Sequence, residues 1–114
     1  MVVAGSLLSL LLGASNAAAA SSQEEVRFGI QVAQRGLWLE ARFRFEKALV
    51  LFPDNAAALN DLAVALEQQG DFAKAREAYE RALKLRPNET YIQQNYDLFR
   101  EADDKRNRKS KKKS

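Results

Sequence analysis

The 114-residue chain has no cysteine and no histidine. Disulfides, thiol nucleophiles, imidazole bases and the common zinc sites are therefore excluded, as is the lipid-modified cysteine of a bacterial lipoprotein. The lack of Cys leaves the redox compartment open. Proline is scarce, at Pro53 and Pro87, and there are five glycines. Charge is missing from the first 23 residues, and no comparable uncharged run occurs afterwards. The length suffices for one small domain.

What is present is organised around residues 56–89, AAALNDLAVALEQQGDFAKAREAYERALKLRPNE. Leu59, Leu62, Ala63 and Leu66 recur at i, i+3, i+4 and i+7, the apolar stripe of a helix. Phe72, Ala75, Tyr79, Ala82 and Leu83 give a second stripe. Gly70 lies between them, where glycine accepts a left-handed helix end without steric cost. Asp71 is placed to cap the second helix, and Pro87 to stop it by lacking an amide and crowding the preceding turn.

Residues 22–55 repeat this frame. Pro53 and Pro87 are 34 apart, and the same interval relates Gly36 to Gly70, Ala41 to Ala75, Phe45 to Tyr79 and Ala48 to Ala82. Phe28, Gly29 and Val32 fall where Leu62, Ala63 and Leu66 stand later, and Trp38 takes the place of Phe72, which assigns it to the core. The large–small pattern at Leu59, Leu62, Ala63, Leu66, Gly70, Phe72, Ala75, Tyr79, Ala82 and Pro87 resembles a tetratricopeptide repeat. The resemblance implies an all-α fold: antiparallel helix hairpins stacked as a short solenoid, five helices in all. The first copy departs from the pattern at Glu25, which stands in the place of Leu59, and at Leu37, which replaces the capping Asp. Both suit a terminal repeat with one face open to water. Ser22 with Glu25 reads as a capping box that opens the first helix.

Ahead of the repeats, Val2 to Leu12 is apolar apart from Gly5, Ser6 and Ser9, and Ala18-Ala19-Ala20 fits a small-x-small cleavage rule. Residues 1–20 resemble a secretory signal peptide, with Ser21 as the first mature residue, although no Lys or Arg precedes the apolar run. The alternative is an uncut inner-membrane anchor, since a spanning helix needs ~20 residues.

After the repeats, Ile92, Tyr96 and Phe99 give residues 89–104 one apolar stripe, expected of a solvating helix that covers the second repeat. Lys105, Arg106, Arg108, Lys109, Lys111, Lys112 and Lys113 then contribute +7, against eleven basic and fifteen acidic residues before them. Charge of one sign at this density is expected to leave 105–114 disordered, available to a polyanion such as an anionic membrane surface. Nucleic acid does not fit an exported chain.

No Gly-rich phosphate loop, HExxH or GxSxG motif occurs, and Asp61, Glu67, Asp103 and Asp104 have no evident buried setting. The reading is a non-enzyme that needs no cofactor and no metal. Glu77–Arg81 and Glu80–Lys84 read as solvated i,i+4 pairs. The resemblance implies a concave groove lined by the first helix of each pair. By face, Val26, Ile30 and Gln34 would come from the first repeat, Asn60, Val64, Glu67 and Gln68 from the second, and Gln94 from the last helix. Asn60 and Gln94 would hydrogen-bond an extended peptide backbone. None of these positions is basic, which speaks against a carboxylate ligand. The expected protein is an exported, periplasmic adaptor binding a protein or peptide partner. A membrane-anchored accessory subunit and a cytoplasmic polyanion-binding module are the alternatives. With only two repeats, self-association would add stability.

Overall fold

The computed structural model describes the backbone of residues 2–113 and the side chains of residues 16–113. The side chains of the apolar leader thus lie outside the described residues. Five helices follow in order: α1 (Val2–Gln34), α2 (Trp38–Leu51), α3 (Ala56–Gln68), α4 (Phe72–Leu85) and α5 (Thr90–Lys113). Helices α1 and α2 form one hairpin, α3 and α4 the next, α2 packs on α3, and α5 lies against α4 and touches α3. This is the expected all-α stack of hairpins.

The hairpin turns repeat at atomic detail. Gly36 and Gly70 have φ of 78° and 79°. In the first turn Leu37 N–H donates to Val32 O (3.0 Å) and Gly36 N–H to Ala33 O (2.9 Å). In the second, Asp71 N–H donates to Leu66 O (2.9 Å) and Gly70 N–H to Glu67 O (3.0 Å). Both satisfy the orphan carbonyls of a helix end through a left-handed glycine. Asp71 caps α4 by accepting from Lys74 N–H, whereas Leu37 offers α2 no side-chain cap.

Small residues set the helix spacing. Ala41, Ala48, Ala58, Ala63, Ala65, Ala75 and Ala82 have no exposed surface, and Phe45, Leu59, Tyr79, Ile92 and Phe99 fill the space beside them. Gly29 is the tightest point. A Cβ there would lie 2.5 Å from Phe45 Cε1, and Phe45 is itself only 2% exposed and cannot swing away. Helix α5 is held by aromatic contact, with Tyr79 and Phe99 ring centroids 5.5 Å apart and Tyr79 and Tyr96 5.8 Å apart.

Several local expectations are revised. Ser22 opens no helix, because α1 runs straight through it. The residue is fully buried, its Oγ donating to Ala48 O (2.7 Å) and accepting from Asn55 Nδ2 (2.9 Å). Glu25 keeps company with cations rather than water, 3.4 Å from Arg44 and 3.3 Å from Lys47. Arg44 in turn lies 4.3 Å over the Phe28 ring. Trp38 packs on the first core cluster but is only partly buried.

At the other end, α5 continues to Lys113 where disorder was expected from Lys105. No Gly or Pro interrupts it, Lys and Arg are good helix formers, and cations at a helix C-terminus suit its dipole. Asp103 and Phe72 dock its middle: Arg76 bonds Asp103 at 2.8 Å, Arg106 bonds it at 3.2 Å, and the Arg106 guanidinium sits 3.5 Å over the Phe72 ring. The i,i+4 pairs expected on α4 give way to longer reaches. Glu80 accepts from Tyr96 OH (2.8 Å) and Arg81 donates to Pro53 O (3.3 Å).

Gly29→Ala tests the close approach. Overpacking a filled core costs about 1–3 kcal/mol, and the better helix propensity of Ala returns up to about 1. The urea midpoint should fall by the equivalent of about 1–2 kcal/mol with an unchanged m value. An unchanged or raised midpoint would mean that Phe45 yields.

Candidate functional site

Between α1, α3 and α5 the chain leaves a cleft of about 240 Å³. Ile30, Ala33 and Gln34 come from α1, and Asn60, Asp61 and Val64 from α3. Trp38 and Phe45 of α2 complete the apolar wall, and Asn95 enters from α5. Helical periodicity explains the set, since residues three and four apart share a face. Ile30 and Val64 occupy the same place in the two repeats, 34 residues apart.

Four of the groove residues expected from sequence line this cleft: Ile30, Gln34, Asn60 and Val64. Val26 does not, being 7% exposed and part of the core between α1 and α2. Glu67 accepts a hydrogen bond from Tyr79 OH, and Gln68 is exposed at the end of α3, outside the lining. Gln94 is replaced by Asn95, whose Nδ2 donates to Asn60 Oδ1 (3.1 Å). The offset across that contact is 35 residues rather than 34. One residue of slip turns a helix by about 100°, and α5, packed on α4 without a hairpin partner of its own, takes that rotation. Asn60 is only 3% exposed and its carbonyl is occupied by Asn95, so it is a strut between α3 and α5 rather than a free peptide-backbone ligand.

Asp61 was read without a setting, and the structure gives it one. It is the only charged residue between Ala56 and Leu66, a signal present in the sequence. Burial pushes its carboxyl up to about 6, partly offset by the Asn60 amide, which donates at 3.3 Å. Its charge also acts on two phenols. Tyr91 is raised first by burial and then by Asp61 and Glu89, and Tyr79 by burial, then Glu67, then Asp61. No Lys or Arg among the described residues forms an ion pair with Asp61. Asp103 is the opposite case: the Arg76 hydrogen bond, helped by Arg106, holds its carboxyl below the ordinary range despite burial.

The rest of the cleft lining is hydrocarbon, indole and amide. An acid–base pair would need a second titrating group beside Asp61, and the cleft offers none among its lining residues. Among the described residues no cluster of three carboxylates that could hold a metal occurs. The arrangement suits binding: an apolar slot with one carboxylate in its wall.

The two acids have opposite pH signatures. Asp61 titrates at about 6 in the fold against 3.8 when free, so the native state holds the extra proton between those values and stability falls as pH rises through them. Two units correspond to about 3 kcal/mol at most, and partial exposure of Asp61 brings this to the order of 1. Asp103, with a lowered pKa, stabilises above the ordinary carboxylate range and loses that contribution as pH falls. Asp61→Asn should therefore raise Tm at pH 7 by about 4–8 °C and leave it nearly unchanged at pH 4. Thermal melts at both values decide it, and equal shifts at the two would refute the buried-charge account.

The tetratricopeptide repeat family profile matches residues 28–90, more than half of the sequence. Over 57 residues the chain is 42% identical to tetratricopeptide repeat protein 36 of Homo sapiens, a stretch covering 50% of this chain and 30% of that protein. The chain thus spans less than a third of that relative's length. The match runs from the end of α1 through α4 to the first residue of α5, which takes in the cleft residues of α1, α2 and α3 but not Asn95. With its paired helices, left-handed glycine turns and alanine-spaced core, the chain belongs to the tetratricopeptide repeat family, whose repeats serve protein–protein interaction.

Proposed function

We propose that this chain is an exported adaptor that takes a peptide or helix of a partner protein in the cleft between α1, α3 and α5. The observation that carries the reading is the cleft itself. Ile30 and Val64 on the inner helices, with partly buried Trp38 at the start of α2, offer apolar surface to the cleft. Pockets that combine apolar walls with few polar groups are the usual places for such anchors. Export to a periplasm rests on the apolar run Val2 to Leu12 and the alanines before Ser21. Cleavage after Ala20 would leave Ser22, which bonds Ala48 and Asn55, within the mature chain. Among the described residues no helix is long and apolar enough to cross a membrane.

Crosslinking from the native cell, with the full chain as bait, tests the cleft. Ile30→Arg would fill the slot, and Val50→Arg adds the same charge at a position 82% exposed. A partner that is captured by the wild type and by the Val50 variant but lost with Ile30→Arg supports the reading. Equal capture by all three would refute it. Mass spectrometry of the chain recovered from cells should find Ser21 at its N-terminus, and a retained residue 1–20 segment would favour the anchored alternative.

A second reading has its own observation: α5 carries Arg108, Lys109, Lys112 and Lys113 exposed, past the contact of Arg106 with Phe72. Each basic residue near an anionic bilayer contributes about 1 kcal/mol. Co-sedimentation with phosphatidylglycerol vesicles should then fall with added salt and vanish on deletion of residues 105–114. Retained binding after that deletion would exclude the tail as the contact.

A further inference from the structure

Among the carboxylates that are wholly or partly buried in the described residues, Glu25 and Asp103 have cations of their own, Glu67 has the Tyr79 hydroxyl, and Asp61 has neither. Glu25 is met by Arg44 and Lys47, and Asp103 by Arg76 and Arg106. Asp61 is met only by the Asn60 side-chain amide, at 3.3 Å. It also faces an open cleft, and it is the only charged residue in the lining of that cleft. Burying a carboxylate without a counter-charge is costly. The chain bears that cost at the position where a partner would arrive.

We propose that the cleft selects partners by a single basic side chain, a Lys or Arg of the bound peptide, whose charged end pairs with Asp61 while its stem lies along Ile30, Val64 and Trp38. This rests on the groove reading above and goes beyond it by naming the chemistry of the bound group.

The dimensions and the chemistry agree. At ~30 Å³ per water the cleft has room for about eight waters, which matches one long side chain projecting from a bound peptide or helix. Lys and Arg carry an apolar stem and a charged tip. An apolar wall around one carboxylate is the complement of that shape. The Trp38 ring adds an aromatic surface on which a cation gains further attraction. An apolar side chain entering the slot would remove the remaining water from Asp61 and return nothing for it, and a neutral donor would return an uncharged bond only. An acidic side chain would be repelled. The charge-assisted hydrogen bond of a Lys or Arg offsets the desolvation that both groups suffer. Selection thus works by penalty as much as by attraction.

The test uses a phage-displayed library of random dodecapeptides, panned on the full chain. Recovered peptides are synthesised with a fluorescein label and measured by anisotropy against wild type, Ile30→Arg, Val50→Arg and Asp61→Asn, with circular dichroism reporting the fold of each. The expected result is a set of peptides lost on Ile30→Arg and kept on Val50→Arg, each with a Lys or Arg at one fixed position. Replacing that Lys by norleucine, or Asp61 by Asn, should weaken binding about tenfold or more, and the two changes together should cost no more than either alone. Peptides that respond to Ile30→Arg but lack a fixed basic residue, or that bind Asp61→Asn as well as wild type, overturn the inference and leave the groove reading standing. If no recovered peptide responds to Ile30→Arg, the groove reading falls and this inference with it. A concentration-dependent dimer in sedimentation, abolished both by Asp61→Asn and by deletion of residues 105–114, would overturn the foreign peptide as occupant in favour of a second copy's basic tail.

Discussion

The structure depends on how closely helix backbones come together. In a chain this short a core built of large side chains alone would hold the helices apart and leave gaps between them. Here fully buried alanines let the backbones approach, and one aromatic per hairpin, Phe45 or Tyr79, fills what remains. Gly29 takes this to its limit, with the Phe45 ring resting where a methyl group would be. The hairpins, the clefts between their inner helices and the seat for α5 all follow from that spacing. The left-handed glycines at Gly36 and Gly70 close each hairpin so that the small residues meet in register.

That part of the fold was legible because spacing constraints write themselves into residue size. A 34-residue recurrence of Gly, Ala and aromatic positions admits few other packings. Helix ends at glycine and proline were readable for the same reason. What escaped is whatever depends on a rotation or on a partner distant in sequence. The one-residue turn of α5 moved Asn95 into the place assigned to Gln94. Ser22 looked like a cap from its near neighbours, whereas its partners are Ala48 and Asn55. Asp61 and Asp103 look alike in a string of letters. Only the fold shows one of them between two arginines and the other with an amide alone.

The carboxylates of this small fold stand in two contrasting settings. Glu25 and Asp103 sit where neighbouring helices bring cations to them, and they tie the ends of the stack together. Asp61 contributes nothing of the kind and works against folding at neutral pH. Residues that weaken a marginal domain without compensation are expected where binding requires them. Of the groove positions read from sequence, Ile30, Gln34, Asn60 and Val64 line the cleft. Val26 and Asn60 were drawn into the core and into the α3–α5 strut.

The buried hydroxyl of Ser22 does more than satisfy itself. It donates to the last turns of α2 through Ala48 O and accepts from Asn55, and the other end of that asparagine caps α3 at Ala58 N–H (3.0 Å). Three helices are therefore joined by a short relay of polar atoms at the junction between the repeats, beside the bonds from Arg42 to Gln69 and from Arg81 to Pro53 O. Hydrocarbon contacts can slide with little change in energy, but a directional relay cannot. The relay thus pins the end of α2 and the start of α3 to one point on α1, in addition to the packing between the hairpins.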